Sequence, residues 1–198
     1  MTRALITIAA LSAFASNTAI ADDHAEYGVN LAISPFGGAI NLSYNTSVKT
    51  SITAAIGGAP EGKAPFKPKV DGTEYEVTAG SSWTGLFLNH RPFENANWFR
   101  VNTGIGFGSI QQTLEDKAGN TYSANYTENP VGYFGLGAGL RPVEGFVFGF
   151  DLGFLHTGGP DIVKTGGEGD DASADIADHP LLGASTLPNL QLSFGLGF

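Results

Sequence analysis

Large hydrophobic residues fall on every second position in eight segments of the chain. In 99–108 and 146–154, the residues between them are mainly glycine or polar. A period of two is that of a β-strand with one apolar face. The other segments with this pattern are 27–34, 40–45, 51–56, 74–88, 133–140 and 190–198. The pattern therefore predicts an all-β protein with eight strands.

One of these segments changes phase along its length. In 74–88, Tyr75 and Val77 lie on one parity, whereas Leu86 and Leu88 lie on the other. A β-bulge inserts one extra residue and so exchanges the two faces of a strand. We therefore expect a bulge within 81–85.

The connections between the segments alternate in length. Three connections are short: 46–48, 90–97 and 142–145. Three are long loops: 59–73, 113–129 and 157–187. The first external connection, at 35–38, is the exception because it is short. Bacterial barrels have short periplasmic turns and long external loops. The predicted fold is therefore an eight-stranded antiparallel up-and-down transmembrane β-barrel, with a short helix at 172–177 in the last loop.

The N-terminal residues have the organisation of a secretory signal peptide. Arg3 precedes an apolar run at 4–15, and Ala19-Ile20-Ala21 forms a small-x-small cleavage site. A transmembrane helix is the alternative, but a span needs about 20 apolar residues and polar residues at 16–18 interrupt this run. We expect a signal peptide at 1–21 and one barrel domain at 22–198.

Composition narrows the function classes. The chain has 28 glycines among 198 residues, about twice the usual share of roughly 7%. It has no cysteine, which excludes disulfides and thiolate metal sites. Without Arg3 the net charge becomes −10, because the full chain carries −9. A chain with this large a net negative charge binds nucleic acids poorly.

Several motifs resemble known outer-membrane proteins. Leu192, Phe194, Leu196 and Phe198 form the apolar face of the C-terminal segment and resemble the assembly signal of outer-membrane barrels. Segments 86–108 and 130–160, with Arg-Pro-Phe-Glu and Arg-Pro-Val-Glu turns before Gly-aromatic strands, resemble the small Gram-negative outer-membrane β-barrel family. The resemblance implies a bacterial outer-membrane location, the outer-membrane assembly machinery as a partner, and no catalytic residues.

The interior of the predicted barrel is polar and narrow. Eight strands leave room for side chains or one small ligand. The residues expected to face inward are Asn30, Ser34, Asn41, Ser43, Ser51, Thr53, Glu76, Arg100, Asn102, Asp151, Gln191 and Ser193. Among them Arg100, Asp151 and Glu76 are the lumen charges, and Arg100 can pair with Asp151 two strands away. This interior is either a polar plug, which we favour, or a gated narrow path.

Catalysis has one candidate centre. His156 ends the seventh segment near the outer rim, and Ser185 on the following strand can approach it. A nucleophile and base must lie within hydrogen-bond reach, and no short motif joins these two residues. We expect an interfacial histidine and no enzyme.

The loops carry two further candidates for ligand contact. Residues 166–171 match the start of a calcium-binding β-roll repeat, but stacked repeats need about three copies and only one is present. A solvated acidic loop is expected, with loose divalent-cation contact at Asp170, Asp171, Asp175 and Asp178 left open. Lys63, Lys67 and Lys69 are candidates for contact with lipopolysaccharide. We expect no cofactor.

The leading functional interpretation is a monomeric, non-enzymatic outer-membrane barrel with a structural or surface-contact role, in contact with outer-membrane lipids and lipopolysaccharide. A narrow, porin-like channel or small-molecule conduit is the alternative. A lipid-modifying outer-membrane enzyme is the third.

Overall fold

Eight strands close into a barrel. The computed structural model describes residues 24–126 and 130–198, so the predicted signal peptide at 1–21 lies outside the described residues. The elements are β1 Tyr27–Ser34, β2 Gly37–Asn45, β3 Thr50–Lys63, β4 Lys69–Val70, β5 Thr73–His90, β6 Phe99–Asp116, β7 Thr121–Tyr126, β8 Val131–Gly139, β9 Gly145–His156, β10 Asp161–Gly166, α1 Ser173–Asp178 and β11 Thr186–Gly197.

The ring consists of β1, β2, β3, β5, β6, β8, β9 and β11. Each pairs antiparallel with its neighbours, and β11 pairs with both β9 and β1, which closes the ring. The predicted eight-stranded up-and-down barrel is confirmed. The short helix expected in the last loop is also present, one residue further along the chain.

A belt of exposed apolar side chains surrounds the ring. These side chains occupy the outward positions of the ring strands; examples from each strand are Leu31, Ile33, Ile40, Leu42, Ile52, Ile56, Leu86, Leu88, Ile105, Phe107, Phe134, Leu136, Phe148, Leu152, Leu190 and Leu192. Soluble monomers rarely expose contiguous apolar patches above a few hundred Å². An apolar band around a closed barrel is the surface that meets lipid.

Within residues 24–126 and 130–198, no helix is both long enough and apolar enough to cross a membrane.

Aromatic side chains mark the lower rim of the belt, where the short turns lie. Tyr27 contacts Tyr44 and Phe198, with ring centroids 5.5 and 6.3 Å apart. The Phe99 ring likewise packs against the rings of Phe93 and Trp98. Aromatic girdles lie at the membrane–water interface. The lower rim is therefore one membrane boundary.

At the upper end, β5 and β6 continue beyond the belt and support a small folded unit, which we call the cap. The cap comprises 64–80, 110–126 and 161–183; in it β6 pairs with β7, β7 with β10, and β4 with β5. Its core is formed by the buried side chains of Val70, Tyr75, Val77, Leu114, Tyr122, Ala124, Ile176 and Leu182. The cap thus has a hydrophobic core separate from the membrane-facing belt.

The cap corrects the predicted long loops. The loop expected at 113–129 is wrong, because β6 runs to Asp116 and β7 begins at Thr121. Similarly, β3 extends to Lys63 inside the loop expected at 59–73, and β10 lies inside 157–187. One face of β7 covers the cap core, and Ile162 of β10 packs against that core, whereas the end of β3 is exposed on both faces.

The bulge expected within 81–85 is also wrong. β5 pairs with β6 without a register shift, from Tyr75 opposite Asp116 to His90 opposite Val101. Tyr75 and Val77 point into the cap core, whereas Leu86 points outward to the belt. The phase change in the sequence therefore records a change of surroundings along one regular strand. The irregularity in pairing lies on β3 instead, between Ala59 and Gly62.

Residues 24–26 form a strap across the lower mouth of the barrel. His24 bridges to Val143 in the β8–β9 turn, and Ala25 N–H donates to the Pro142 carbonyl at 3.1 Å. On the other side, the Asn45 amide donates to the Ala25 carbonyl at 2.8 Å. The strap joins parts of the rim that lie three strands apart.

Candidate functional site in the barrel lumen

A cavity of about 170 Å³ lies inside the barrel. Its lining extends from Leu140 and Pro142 at the lower turn to Ile110 and Tyr126 at the base of the cap. One water needs roughly 10–15 Å³, so the cavity has room for several waters or a small solute. It is smaller than the roughly 300–1,000 Å³ pockets that hold drug-sized ligands.

The cavity is lined by most of the residues expected to face inward. These are Asn30, Ser34, Asn41, Ser43, Ser51, Thr53, Arg100, Asn102, Asp151, Gln191 and Ser193. The period of two is therefore sufficient to assign the two faces wherever a ring strand lies within the belt. The remaining predicted residue, Glu76, lies elsewhere.

Glu76 is not a lumen charge. It lies on the outer face of β5 at the level of the cap, where it is exposed. Its carboxylate accepts hydrogen bonds from Lys67 at 2.7 Å and Lys63 at 2.9 Å. These bonds, with that of Lys67 contributing most, lower the pKa of Glu76 to about 2. The assignment failed because it assumed a bulge that would have placed Glu76 inside.

Arg100 and Asp151 form an ion pair in the lumen. Arg100 Nε donates to Asp151 Oδ1 at 2.9 Å, and Nη2 donates to Oδ2 at 2.5 Å. The Asp151 carboxylate also accepts from the Asn102 amide. The two side chains are 14% and 5% exposed. A bidentate pair with a further amide donor satisfies the carboxylate and fixes both side chains against the wall.

A second polar network lies on the opposite wall. The Ser43 and Thr53 hydroxyls are 2.9 Å apart, and the Asn89 amide donates to Thr53 at 3.1 Å. These residues lie on three adjacent strands, β2, β3 and β5. The lumen is therefore held by uncharged hydrogen bonds on one side and by an ion pair on the other.

Arg91 is a lumen residue that was missed from the sequence. It is 3% exposed and lines the cavity. Its Nη2 donates to the Leu140 carbonyl at 2.7 Å, whereas its Nε has no hydrogen-bond partner in the described part of the chain. The parity of Phe87 and Asn89 predicts this inward position. The repeated Arg-Pro motif instead suggested a simple turn.

Glycine provides the room for the large side chains of the lumen. A Cβ atom built on Gly137 overlaps the Arg100 and Asp151 side chains, and one on Gly149 overlaps Arg100. A Cβ atom on Gly135 or on Gly153 would likewise overlap the Tyr133 hydroxyl. The narrow barrel holds large residues because neighbouring strands contribute glycine beside them.

The candidate catalytic histidine lies on the outside of the barrel. His156 is exposed at the upper rim, and its Nδ1 lies 3.2 Å from the Thr186 hydroxyl. Ser185 accepts hydrogen bonds from Thr157 through its carbonyl oxygen. The hydrogen bond that the structure gives His156 is therefore to Thr186 and not to Ser185.

The positions of the expected assembly signal also lie on the outer surface. Leu192, Phe194 and Phe198 are exposed to the membrane side, and Leu196 is half-buried in the same row.

The acidic loop contains internal hydrogen bonds. Asp171 accepts from the Ser173 backbone N–H at 2.9 Å and from its hydroxyl at 2.6 Å. In the described ranges, no group of three or more histidines and carboxylates has the arrangement of a metal site. Among the loop lysines, Lys63 and Lys67 are paired with Glu76, and Lys69 is exposed on β4.

Known structures show the same architecture. CarO from Acinetobacter baumannii has a TM-score of 0.63 and 16% sequence identity, and the match covers 86% of this chain and 97% of the CarO chain. CarO2 from the same organism has a TM-score of 0.65 and 13% sequence identity, and the match covers 89% of this chain and 100% of the CarO2 chain. A major outer membrane protein from Thermus thermophilus has a TM-score of 0.56 and 12% sequence identity, and the match covers 89% of this chain and 100% of that protein's chain.

The fold is that of a small outer-membrane β-barrel. At these identities the likeness concerns the fold alone. Neither a protein-family model nor a curated protein sequence matches the chain. The apolar belt and this fold together place the barrel in the bacterial outer membrane. The strap and the aromatic rim then lie at the periplasmic end and the cap at the external end, because the short turns of such barrels are periplasmic.

Proposed function

We propose that this outer-membrane barrel has a non-enzymatic surface-contact role, in which the ring anchors the cap and the cap meets the surroundings of the cell. The observation that carries the proposal is the separate core of the cap. Leu114, Tyr122 and Ile176 are buried there although they lie outside the apolar belt. Simple connections between strands do not need a hydrophobic core.

The cap is held in one arrangement by specific contacts. The Tyr122 hydroxyl donates to the Asp170 carbonyl, and the Tyr126 hydroxyl donates to the Leu182 carbonyl, each at 3.1 Å. Tyr75 packs edge-to-face on Tyr122, with ring centroids 5.9 Å apart. A preorganised surface loses less conformational entropy when it binds a partner. This rigidity supports a contact role for the cap.

The cap presents both charge signs. Its acidic segment carries Glu168, Asp170, Asp171, Asp175 and Asp178. Lys67 and Lys69 lie in the cap, and Lys63 lies next to it at the end of β3. Lipopolysaccharide contact through the lysines is part of the proposal, since phosphate groups attract ammonium groups. The acidic segment suits cationic surfaces.

Two neighbouring leucines provide the test. Leu182→Asp places a carboxylate in the cap core, whereas Leu181→Asp makes the same substitution at an exposed position. Cells displaying each variant are assayed for attachment to cationic, anionic and neutral polymer surfaces, with a heat-modifiable gel shift to measure the folded barrel. We expect Leu182→Asp to lose attachment and Leu181→Asp to keep most of it. Equal attachment by both variants and by cells lacking the protein would exclude the surface-contact role.

A narrow conduit is the second candidate, and the lumen cavity favours it. The cavity lining extends from the lower turn to the residues at the base of the cap, and the Arg100–Asp151 pair lies along the wall. The test is single-channel conductance of the refolded protein in planar bilayers, with Arg100→Gln and Asp151→Asn compared. Discrete openings that change with these substitutions support conduction. A folded, silent parent contradicts it.

A further inference from the structure

The periplasmic half of the lumen contains a buried cation without a matching anion. Arg91 lines the same cavity as Arg100 and Asp151. Asp151 already accepts from Arg100 through both oxygens and from Asn102. In residues 24–126 and 130–198, the ion pairs formed by the carboxylates do not include Arg91. Arg91 therefore lacks a direct carboxylate partner within this part of the chain.

A buried guanidinium that lacks an anionic partner is costly, because burial removes its hydration. Arg91 has one protein acceptor, the Leu140 carbonyl, for its five N–H groups. That bond positions the guanidinium in the cavity lining and leaves Nε without an acceptor. The side chain is thus oriented by the protein but remains available to a ligand.

Amide groups surround this position. Asn45, Asn89 and Asn102 line the same cavity, and the strand register places Asn89 opposite Asn102. Asn102 presents a buried Oδ1 atom without a hydrogen-bond partner in the described residues. Ordered water or a hydroxyl-bearing ligand would satisfy that acceptor.

We propose that the periplasmic half of the lumen is a binding site for a small oxyanion of the carboxylate or phosphate class, with Arg91 as its anchor. A guanidinium presents parallel N–H groups that match two oxygens of such an anion. The cavity of about 170 Å³ admits an anion of this size and excludes large ones. The site does not depend on the cap, so it goes beyond the surface-contact role.

The small number of arginines makes the site directly observable. The chain contains four, at positions 3, 91, 100 and 141. Protein labelled with ¹⁵N-arginine and purified from outer membranes into detergent micelles therefore gives at most four Nε–H signals. The Arg91 signal is assigned by its loss in Arg91→Lys. Sodium phosphate and sodium acetate are then titrated at constant ionic strength.

We expect a saturable shift of the Arg91 signal with at least one of the two anions. Arg91→Gln should weaken binding by about tenfold or more, measured by calorimetry, because it removes a charge-assisted hydrogen bond. Arg141→Lys, at a position outside the cavity lining, is the matched control and should leave the affinity unchanged. An Arg91 signal that does not move, or that moves without saturating, would overturn the proposal. Equal affinity of Arg91→Gln and the parent would also overturn it.

Discussion

Arg100 and Asp151 meet across Gly137, which lies on the strand between theirs. The register aligns Arg100 with Gly137 and Gly137 with Asp151 in one row of the wall. The guanidinium and the carboxylate occupy the space that a side chain at position 137 would take. The ion pair and the glycine are therefore parts of one arrangement, and changes to either test it.

Gly137→Ala should destabilise the barrel by about 1–3 kcal/mol, because the added methyl group overpacks the wall and displaces the ion pair. The change is measured as the urea midpoint for unfolding in detergent micelles. Gly132→Ala on the same strand is the control, since among the described residues the one atom near its Cβ would be the His156 carbonyl oxygen, at 4.0 Å. Equal midpoints for the two variants would show that the wall at Gly137 has room to spare.

Asp151→Asn should cost about 3–5 kcal/mol, because it leaves the buried Arg100 charge without its counterion. Combining it with Arg100→Met should recover part of the loss, since no charge then remains to be compensated. A double-mutant cycle on urea unfolding measures the coupling. If the two single changes add without coupling, the ion pair contributes nothing specific to the folded barrel.

Leu182→Ala should destabilise the cap by about 2–5 kcal/mol, since it opens a cavity in its core. Leu182 is 1% exposed, whereas its neighbour Leu181 is 63% exposed. Leu181→Ala is therefore the control and should have little effect. Amide hydrogen exchange measures the outcome, with faster exchange expected in β7 and β10 and unchanged exchange in β9. Loss of protection in β9 as well would mean that the cap and ring unfold as one unit.

The Glu76 ion pairs give the cap a dependence on acid. The pKa of Glu76 is lowered from 4.5 to about 2, chiefly by the hydrogen bond from Lys67, so its ionised form stabilises the folded cap. That stabilisation is complete above the ordinary pKa of the carboxyl and is lost as the pH falls through about 2. The stability difference between the parent and Glu76→Gln should therefore shrink between pH 4.5 and about 2.

The matched control for this acid dependence is Glu61→Gln. It makes the same charge change at a glutamate for which the structure, over its described ranges, gives no lysine partner. Urea midpoints at a series of pH values compare the variants. A pH profile that is identical for both glutamine variants would show that the lysine contacts do not hold Glu76 ionised. High salt should weaken the effect, because the pairs are exposed.

The sequence was sufficient for the ring because each strand within the belt has the same surroundings on each face. Phe150 and Leu152 face lipid while Asp151 faces the lumen, so polarity reports position. Beyond the belt that relation reverses: Tyr75 is apolar and faces inward, and Glu76 is charged and faces water. A local pattern does not contain the distant segments, such as Leu182, that cover Tyr75.

The lumen was partly predictable for a related reason. Parity assigns Arg100 and Asp151 to the interior, and their pairing follows from strand order. Arg91 has the same parity as Asn89, but the following proline suggested a turn exposed to water. Its inward orientation depends on the Leu140 carbonyl, which follows β8, two strands away from β5 in the ring.

The pairing of β1 with β11 also determines when the barrel can become complete. The two strands that close the ring are the first and the last along the described chain, and Tyr27 and Phe198 exchange backbone hydrogen bonds at the seam. Because this contact closes the longest loop of the described chain, it has the largest loop-closure cost, and we expect it to form late. Until β11 inserts, β1 and β9 each present an open edge that can pair with another chain. One closing event therefore removes both edges, and aggregation competes with folding during the interval before it.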